Sequence, residues 1–323
     1  MEPLPLPSQL TTDRRRPTAR LARIPRVCAG LVLGFILIHV PAPAQERVTR
    51  LTTSGARNGQ AFFSPHGAHI SFVSDREKGW QVWVAATDGT GLRRLTDEAY
   101  PVGWPSWSHD GSEVLFYGRR GGRYRLFRVD VASGSVVRFD ARDPEAFRPL
   151  LDPGGDRLLF DAVDPATNTG HDIFVRDLRS DTVLRIVQDP GYDSDARWSP
   201  DGRRIVFHSD RGAERFHTQV YVMTRDGQGV RALTRGSAVN GYPSWSPNGR
   251  CVVYTSEEAG NRDLWVVGAD GGSPERLTWS EGFDGDPVWR PEGGRILFST
   301  DRFGGIELAY LDVATALARR CEA

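Results

Sequence analysis

The sequence predicts an all-β protein, a six-bladed β-propeller with four antiparallel strands in each blade. A short segment of the Trp-Ser-Pro-Asp-Gly type occurs six times, and an apolar strand pattern follows each copy. The aligned glycines of the six copies lie 44, 44, 47, 47 and 44 residues apart. Repeats of about 40–50 residues with four strands each are typical of propellers.

Each repeat reads as four strands, labelled A to D. The six copies of the A–B segment are FSPHGAHISF, WSHDGSEVLF, LDPGGDRLLF, WSPDGRRIVF, WSPNGRCVVY and WRPEGGRILF. Proline and glycine make the A–B turn, since proline presets φ and glycine accepts the left-handed conformation. Strand B is apolar, strand C carries alternating aromatic residues, and strand D has an Arg-Leu-Thr pattern, as at 94–96. Such a sheet cannot bury both faces alone, so the blades must stack, with the repeat tryptophans wedged between them.

Ring closure requires a latch. The segment Val48–Thr52 precedes the first repeat and matches strand D, whereas the last repeat offers only a poor strand D, Leu317–Arg320. We therefore expect the N-terminal segment to complete the sixth blade. A closed ring leaves only short, protected sheet edges.

Residues 1–44 have the pattern of a secretory signal peptide. A basic stretch ends at Arg26, an uncharged apolar run covers Val27–Val40, and an Ala-Pro-Ala site follows at 42–44. The run has 14 residues, whereas a membrane span needs about 20. We expect a periplasmic or secreted propeller over residues 45–323 with no membrane span. A signal retained as an anchor, or a true start downstream of Met1, remains open.

Charge and cysteine content indicate which ligands and which covalent cross-links the sequence allows. Outside residues 1–44 the chain has a net charge of −4, which lacks the basic face that nucleic-acid binding requires. Cys251 and Cys321 remain after the predicted leader, and an oxidising compartment permits them to pair. Because nothing in the sequence brings them together, we expect two separate buried thiols. No Cys/His spacing of the metal-binding type occurs.

The repeat WSPDGRRIVFHSDR, with DLWV and RLT elsewhere, resembles the TolB-like propeller repeat family over essentially the whole predicted mature chain. The resemblance implies a propeller and, for the founding member, a periplasmic role in the Tol-Pal envelope system behind an α/β domain. Fewer than twenty residues separate the predicted leader from the first repeat, so we expect no such domain. Some relatives carry a serine-peptidase domain after the propeller. We expect none here, because no Gly-x-Ser-x-Gly motif occurs.

Strand order places the D–A and B–C loops together on one rim, called here the D–A/B–C rim. The last residue of each strand A, called here the anchor, is a Phe, Trp or Leu. Three residues before each anchor, the side chains differ in chemistry from blade to blade, as expected of a specific site. They are Gln60, Trp104, Arg148, Asp195, Tyr242 and Asp286. Five residues before four of the anchors stand Asn58, Asp193, Asn240 and Asp284. The B–C spacing is three residues longer in blades 3 and 4, and such insertions concentrate on a binding face.

These positions predict an acidic channel mouth. Asp193, Asp195, Asp284 and Asp286 would attract a cation, either a Lys or Arg side chain of a partner or Ca²⁺, which takes about six to eight oxygen ligands. Trp104 and Tyr242 would offer flat contact surfaces. The alternative is that these aspartates only cap turns. The Ser-Asp-Arg triplets of the B–C loops, and the related segment Thr300–Arg302, are expected to be structural, with Arg302 paired to Glu307.

The sequence favours an exported, monomeric, non-catalytic scaffold that binds an envelope protein or peptide through the D–A/B–C rim. The alternative is a metal-assisted lyase or hydrolase acting on sugars or peptides. Its candidate active-site residues would be Asp193, Asp195, Asp286, Arg148 and His171. The fold does not choose between them. Exposed Trp104 and Tyr242 would favour the scaffold, and a carboxylate with a raised pKa beside a histidine would favour the enzyme. His171 and His208 are otherwise expected to be ordinary loop residues.

Overall fold

The computed structural model describes residues 46–77, 79–139, 145–163, 170–187, 191–212 and 217–322. The predicted leader, its cleavage and the start codon lie outside these ranges, as do parts of the extended B–C loops of blades 3 and 4. Over the described residues, no helix is both long and apolar enough to cross a membrane.

The described chain forms six four-stranded antiparallel sheets, as predicted. The N-terminal strand is β1 (Val48–Arg50). Blade 1 contains β2 (Asn58–Phe63), β3 (His69–Ser74), β4 (Gln81–Ala86) and β5 (Arg93–Arg94). Blade 2 contains β6 (Val102–Trp107), β7 (Glu113–Arg120), β8 (Arg123–Asp130) and β9 (Val136–Arg138). Blade 3 contains β10 (Ala146–Leu151), β11 (Arg157–Val163), β12 (His171–Asp177) and β13 (Thr182–Arg185).

The second half of the chain repeats the pattern. Blade 4 contains β14 (Asp193–Trp198), β15 (Arg204–Ser209), β16 (Gln219–Thr224) and β17 (Arg231–Ala232). Blade 5 contains β18 (Asn240–Trp245), β19 (Cys251–Ser256), β20 (Asp263–Gly268) and β21 (Glu275–Arg276). Blade 6 contains β22 (Asp284–Trp289), β23 (Arg295–Thr300) and β24 (Glu307–Asp312), and a short helix, α1 (Thr315–Cys321), follows.

The predicted latch is confirmed. Strand β1 pairs antiparallel with β24, so that the N-terminal segment is the fourth strand of blade 6. Thr52 accepts a hydrogen bond at 2.9 Å from the Leu308 N–H. Thr96 of blade 1 accepts the same bond from Val82, also at 2.9 Å. The latch therefore has the same structure as the Arg-Leu-Thr strand of blade 1, including the hydrogen bond that its threonine hydroxyl accepts from strand C.

The repeat tryptophans lie between blades, as predicted. The Trp107 indole N–H donates to the Phe62 carbonyl of blade 1, and the Trp245 indole donates to the Arg197 carbonyl of blade 4. Both indoles are buried. Each therefore adds apolar area and one directional bond to the contact with the preceding blade, which fixes how neighbouring sheets stack.

The prediction of two separate thiols is wrong. Cys251 of β19 and Cys321 of α1 form a disulfide, with Cα atoms 5.4 Å apart. Since β1 already fills the fourth strand of blade 6, the C-terminal segment is free to form α1. Leu317 and Cys321 share one face of this helix and pack with Trp289 and Cys251.

Candidate functional site

The innermost strand of every blade contains a β-bulge at one equivalent position. The residue three before the anchor is left-handed in all six, with φ between 50 and 53°, although none is glycine. The six are Gln60, Trp104, Arg148, Asp195, Tyr242 and Asp286. Left-handed backbone costs a non-glycine residue about 1 kcal/mol or more. The six residues therefore share one backbone conformation. Their side chains differ in chemistry, as the sequence comparison of the blades indicated.

Side chains from opposite blades meet across the centre of the ring. Trp104 of blade 2 stacks on Tyr242 of blade 5, with ring centroids 6.2 Å apart. Two residues further along the innermost strands, the Arg197 guanidinium of blade 4 lies 4.5 Å from the ring centroid of Phe62 in blade 1. Because blades 2 and 5, and blades 1 and 4, face each other, these contacts close the channel below the D–A/B–C rim.

Arg148 is the centre of a buried charge cluster. Its Nη1 lies 2.9 Å from Asp161, and its Nε lies 2.9 Å from Asp195. Its Cζ lies 4.5 Å from the Trp104 ring centroid. The Arg148 side chain is 16% exposed, and the two carboxylates are almost fully buried. One guanidinium thus pairs with two carboxylates. Arg148, Asp161 and Asp195 together carry a net negative charge when both carboxylates are ionised.

Burial and the neighbouring charges perturb the pKa values of the cluster. Burial raises the pKa of Asp161 to about 7, and repulsion from Asp195 adds to the rise while Arg148 opposes it. Burial acts to lower the pKa of Arg148, but the surrounding acidic groups raise it well above its usual value. The cluster therefore holds a fixed cation beside a carboxyl that titrates near neutrality.

Two histidines near the cluster are held neutral. Burial is the main cause that lowers the pKa of His208, and burial with repulsion from Arg148 and His208 lowers that of His171 to about 3. His208 Nδ1 lies 3.5 Å from Asp195 and accepts the Tyr242 N–H at 3.3 Å. An imidazole nitrogen that accepts a hydrogen bond cannot carry a proton. The lowered pKa and the accepted hydrogen bond both assign the neutral form to His208, and the lowered pKa assigns it to His171.

Asp286 forms a second polar centre on the ring. Burial raises its pKa to about 6, and repulsion from Asp195 adds to this, while Arg197 and Arg262 oppose it. The Gln60 N–H donates to Asp286, and the Gln60 side-chain oxygen accepts the Trp104 N–H at 2.9 Å. Hydrogen bonds thus connect blades 6, 1 and 2 around the ring.

The four predicted aspartates do not converge. Asp193 and Asp284 are fully buried, and each is paired with an arginine of its own blade, Arg211 at 2.7 Å and Arg302 at 2.5 Å. Among the residues that the structure describes, no group of three or more His, Cys, Asp or Glu side chains is placed to hold a metal ion. Two of the four carboxylates are therefore engaged by arginines of their own blades.

The neighbouring amides share this structural role. Asn58 accepts a hydrogen bond from Arg76 at 2.7 Å, and Asn240 donates to Gln219 at 3.0 Å. The Ser-Asp-Arg triplets are structural in these blades, but the partner predicted for Arg302 was wrong. It binds Asp284, while Glu307 binds Arg50 of the latch. Asn58, Asp193 and Asp284 thus hold the B–C loop of their own blade to strand A, and Asn240 joins strand A of blade 5 to strand C of blade 4.

Two expectations for the mouth need correction. It is not lined by uncompensated acids, since Arg148, Arg197 and Arg262 all act on its carboxylates. Trp104 is only 7% exposed, because Arg148 and Tyr242 cover its indole. Tyr242 is partly buried. Trp104 and Tyr242 therefore do not form the pair of exposed contact surfaces that was predicted.

Sequence reasoning missed Asp161 and underestimated His208. Both stand directly after the aromatic residue of strand B, opposite the residue that precedes the bulge. The equivalent residues are Val73, Tyr117, Asp161, His208, Thr255 and Ser299. Their chemistry varies from blade to blade as much as that of the bulge residues. The same criterion, applied to strand B, would have found them.

A continuous series of rings, called here the aromatic row, follows the D–A/B–C rim from blade 2 to blade 5. Successive centroids lie 4.7, 4.8, 5.1, 5.8 and 5.8 Å apart. Its members are Tyr124, Phe147, His171, Tyr192, His208 and Tyr242. All except His208 are partly buried. The row passes the Arg148 cluster, where Tyr192 Oη lies 3.5 Å from an Arg148 nitrogen.

Parts of the chain are similar in sequence to TolB propellers. The family model described as the TolB beta propeller domain matches residues 233–322. The Tol-Pal system protein TolB of Wolinella succinogenes is 27% identical over 108 residues, 33% of this chain and 25% of that protein. Matches to three curated relatives cover only 21–25% of the relatives' lengths.

Solved structures give the same fold. TolB from Acinetobacter baumannii superposes with a TM-score of 0.60 at 23% identity, over 77% of this chain and 65% of that one. An oligogalacturonate lyase from Vibrio parahaemolyticus superposes with a TM-score of 0.57 at 14% identity, over 85% of this chain and 96% of that one. At these identities, the likeness establishes the propeller and leaves the function open.

Proposed function

We propose that this chain, a TolB-like β-propeller, is an exported scaffold that binds an envelope protein or peptide through its D–A/B–C rim without catalysing a reaction. The observation that carries the proposal is the aromatic row, which presents partly exposed rings on this rim beside a buried charge cluster. Aromatic residues and arginine dominate binding energy at protein interfaces, because they bury large areas at low conformational cost.

Export is supported by two independent features. The first is the leader pattern of residues 1–44. The second is the Cys251–Cys321 disulfide, because disulfides persist mainly in oxidising compartments such as the periplasm. TolB of the Tol-Pal system is among the relatives, which supports an envelope location for the partner.

Replacing Tyr124 and Tyr192 by alanine together is expected to lower partner affinity by about thirtyfold or more, since a single aromatic anchor contributes about 2 kcal/mol. The matched control is Val137→Ala with Leu184→Ala, on outer strands where these side chains are 44% and 59% exposed. The measurement is quantitative cross-linking of the purified protein in envelope extract of its own host. Thermal melts establish that both variants fold. Equal recovery of partners by the two variants would refute the rim as the binding face.

A second candidate function rests on Asp161. A carboxyl whose pKa is raised to about 7 suits a general acid or base at neutral pH. It shares Arg148 with Asp195, which lies 3.5 Å from the neutral His208. The raised pKa and the adjacent cation suit the acid–base chemistry of a lyase or hydrolase acting on sugars or peptides, although the carboxylate beside the histidine is Asp195 and not Asp161.

The enzyme alternative predicts turnover that Asp161→Asn lowers at least about a hundredfold, the usual contribution of a general acid or base. Polygalacturonate and a mixed peptide library are suitable substrates, with mass spectrometry of the products. Tyr124→Ala, which leaves the cluster in place, is the control. Partner binding by wild type together with no product from either substrate would leave the scaffold as the function.

A further inference from the structure

The B–C hairpin of blade 2 departs from the repeat. Strands β7 and β8 have eight residues each, whereas strands B and C of the other blades have six or seven. The extra pairs are Arg119 with Tyr124 and Arg120 with Arg123, closed by two left-handed glycines. Two further residues per strand extend the hairpin by about 7 Å. We call residues 119–124 the arm.

In blades 1, 4 and 6, the corresponding residues hold the B–C loop to strand A. In blade 4, Asp210 accepts the Tyr192 N–H at 2.6 Å, and Arg211 pairs with Asp193 at 2.7 Å. In blade 1, Asp75 accepts the Arg57 N–H at 2.8 Å. These residues therefore turn back into the blade and serve its folding.

Blade 2 has lost both functions. Arg119 stands where blades 1, 4 and 6 have the accepting aspartate, which reverses the charge. Arg120 stands in the position of Arg76, Arg211 and Arg302, but the strand A residue opposite it is Val102, whose side chain cannot accept a hydrogen bond. The arginines of the arm are therefore not required by the repeat.

The arm concentrates positive charge at some cost to the hairpin. Arg119, Arg120 and Arg123 are exposed, and no salt bridge to any of them is present within the described ranges. Arg120 and Arg123 are directly opposite each other, and like charges in cross-strand pairs are destabilising. A destabilising pair that the fold does not need points to a partner of opposite charge.

We infer that the arm docks an acidic segment of the protein partner. The inference rests on the proposed scaffold function. Tyr124 belongs to both the arm and the aromatic row, so the basic surface continues into the surface proposed to bind protein. The Arg119 guanidinium lies 5.8 Å from the Tyr124 ring centroid. A membrane is disfavoured as the ligand, because the turn carries glycines and arginines and no apolar side chain that would insert.

The test compares Arg120→Gln with Arg123→Gln against a matched control, Arg203→Gln with Arg250→Gln, which removes two exposed arginines from A–B turns on the opposite rim. The probe is a fluorescein-labelled peptide of ten glutamates, followed by anisotropy at two salt concentrations. The arm variant is expected to bind about tenfold more weakly at low salt, with a shallower salt dependence, while the control binds as wild type.

Equal losses in both variants would overturn the inference, because attraction would then follow net charge alone. Arm-dependent binding of anionic phospholipid vesicles or polygalacturonate, without binding of the peptide, would overturn the protein partner. The cross-linking assay separates the two proposals. If Tyr124→Ala with Tyr192→Ala loses the partner and the arm variant keeps it at full affinity, the scaffold function stands and the arm inference fails.

Discussion

Deleting residues 46–52 is expected to lower the melting temperature by about 10 °C or more. The deletion removes β1 and leaves β24 as an open edge. It also strips Glu307, which is fully buried, of the hydrogen bonds from Arg50 and Thr52. Glu307 keeps the hydrogen bonds from the Gly55 N–H and the Asn58 amide, but it loses its cationic partner, and breaking a buried ion pair costs about 3–5 kcal/mol. In a protein of this size, 1 kcal/mol corresponds to about 2–4 °C.

The measurement is differential scanning calorimetry. The control is a chain lacking only residues 1–45, which keeps the latch and is expected to melt close to wild type. A second variant, the latch deletion combined with Glu307→Gln, should recover part of the loss, because the buried charge is then removed. An unchanged melting temperature on deleting the latch would show that blade 6 does not depend on β1.

Replacing Arg148 by methionine is expected to destabilise the protein by about 3–5 kcal/mol at pH 8, because Asp161 and Asp195 then lose their shared cation. The loss should be smaller at pH 5. Burial has already raised the pKa of Asp161 to about 7, against about 3.9 in the unfolded chain. The folded state therefore holds this proton more tightly, and acidification through this window favours it.

Urea unfolding at both pH values measures the effect. The control, Arg203→Met, removes an exposed arginine and should change stability by less than about 0.5 kcal/mol at either pH. The double variant Arg148→Met with Asp161→Asn should recover stability at pH 8. A cost for Arg148→Met that equals the control, or that is the same at pH 5 and pH 8, would contradict the shared-cation account.

The site was partly predictable because the six copies distinguish two kinds of position. Residue types that recur in most blades are structural, and positions whose residue type differs between blades are candidates for the site. Positions whose chemistry changes between blades, such as Arg148 and Asp286, could be found by alignment of the six copies alone. Partners could not be found in this way. Asp193 and Asp195 are two residues apart, yet Asp193 pairs with Arg211 and Asp195 with Arg148 of the neighbouring blade. Only the direction of each side chain decides this.

The sequence by itself determined the number of blades, the four strands of each and the latch. These depend on local turn chemistry and on strand patterns that recur six times. The tertiary structure alone decided the Cys251–Cys321 pairing, the closure of the channel by Trp104 and Tyr242, and the balance of charge around Arg148. The physical reason is that local patterns fix backbone geometry, whereas these contacts join residues far apart in sequence that meet only when the ring has closed.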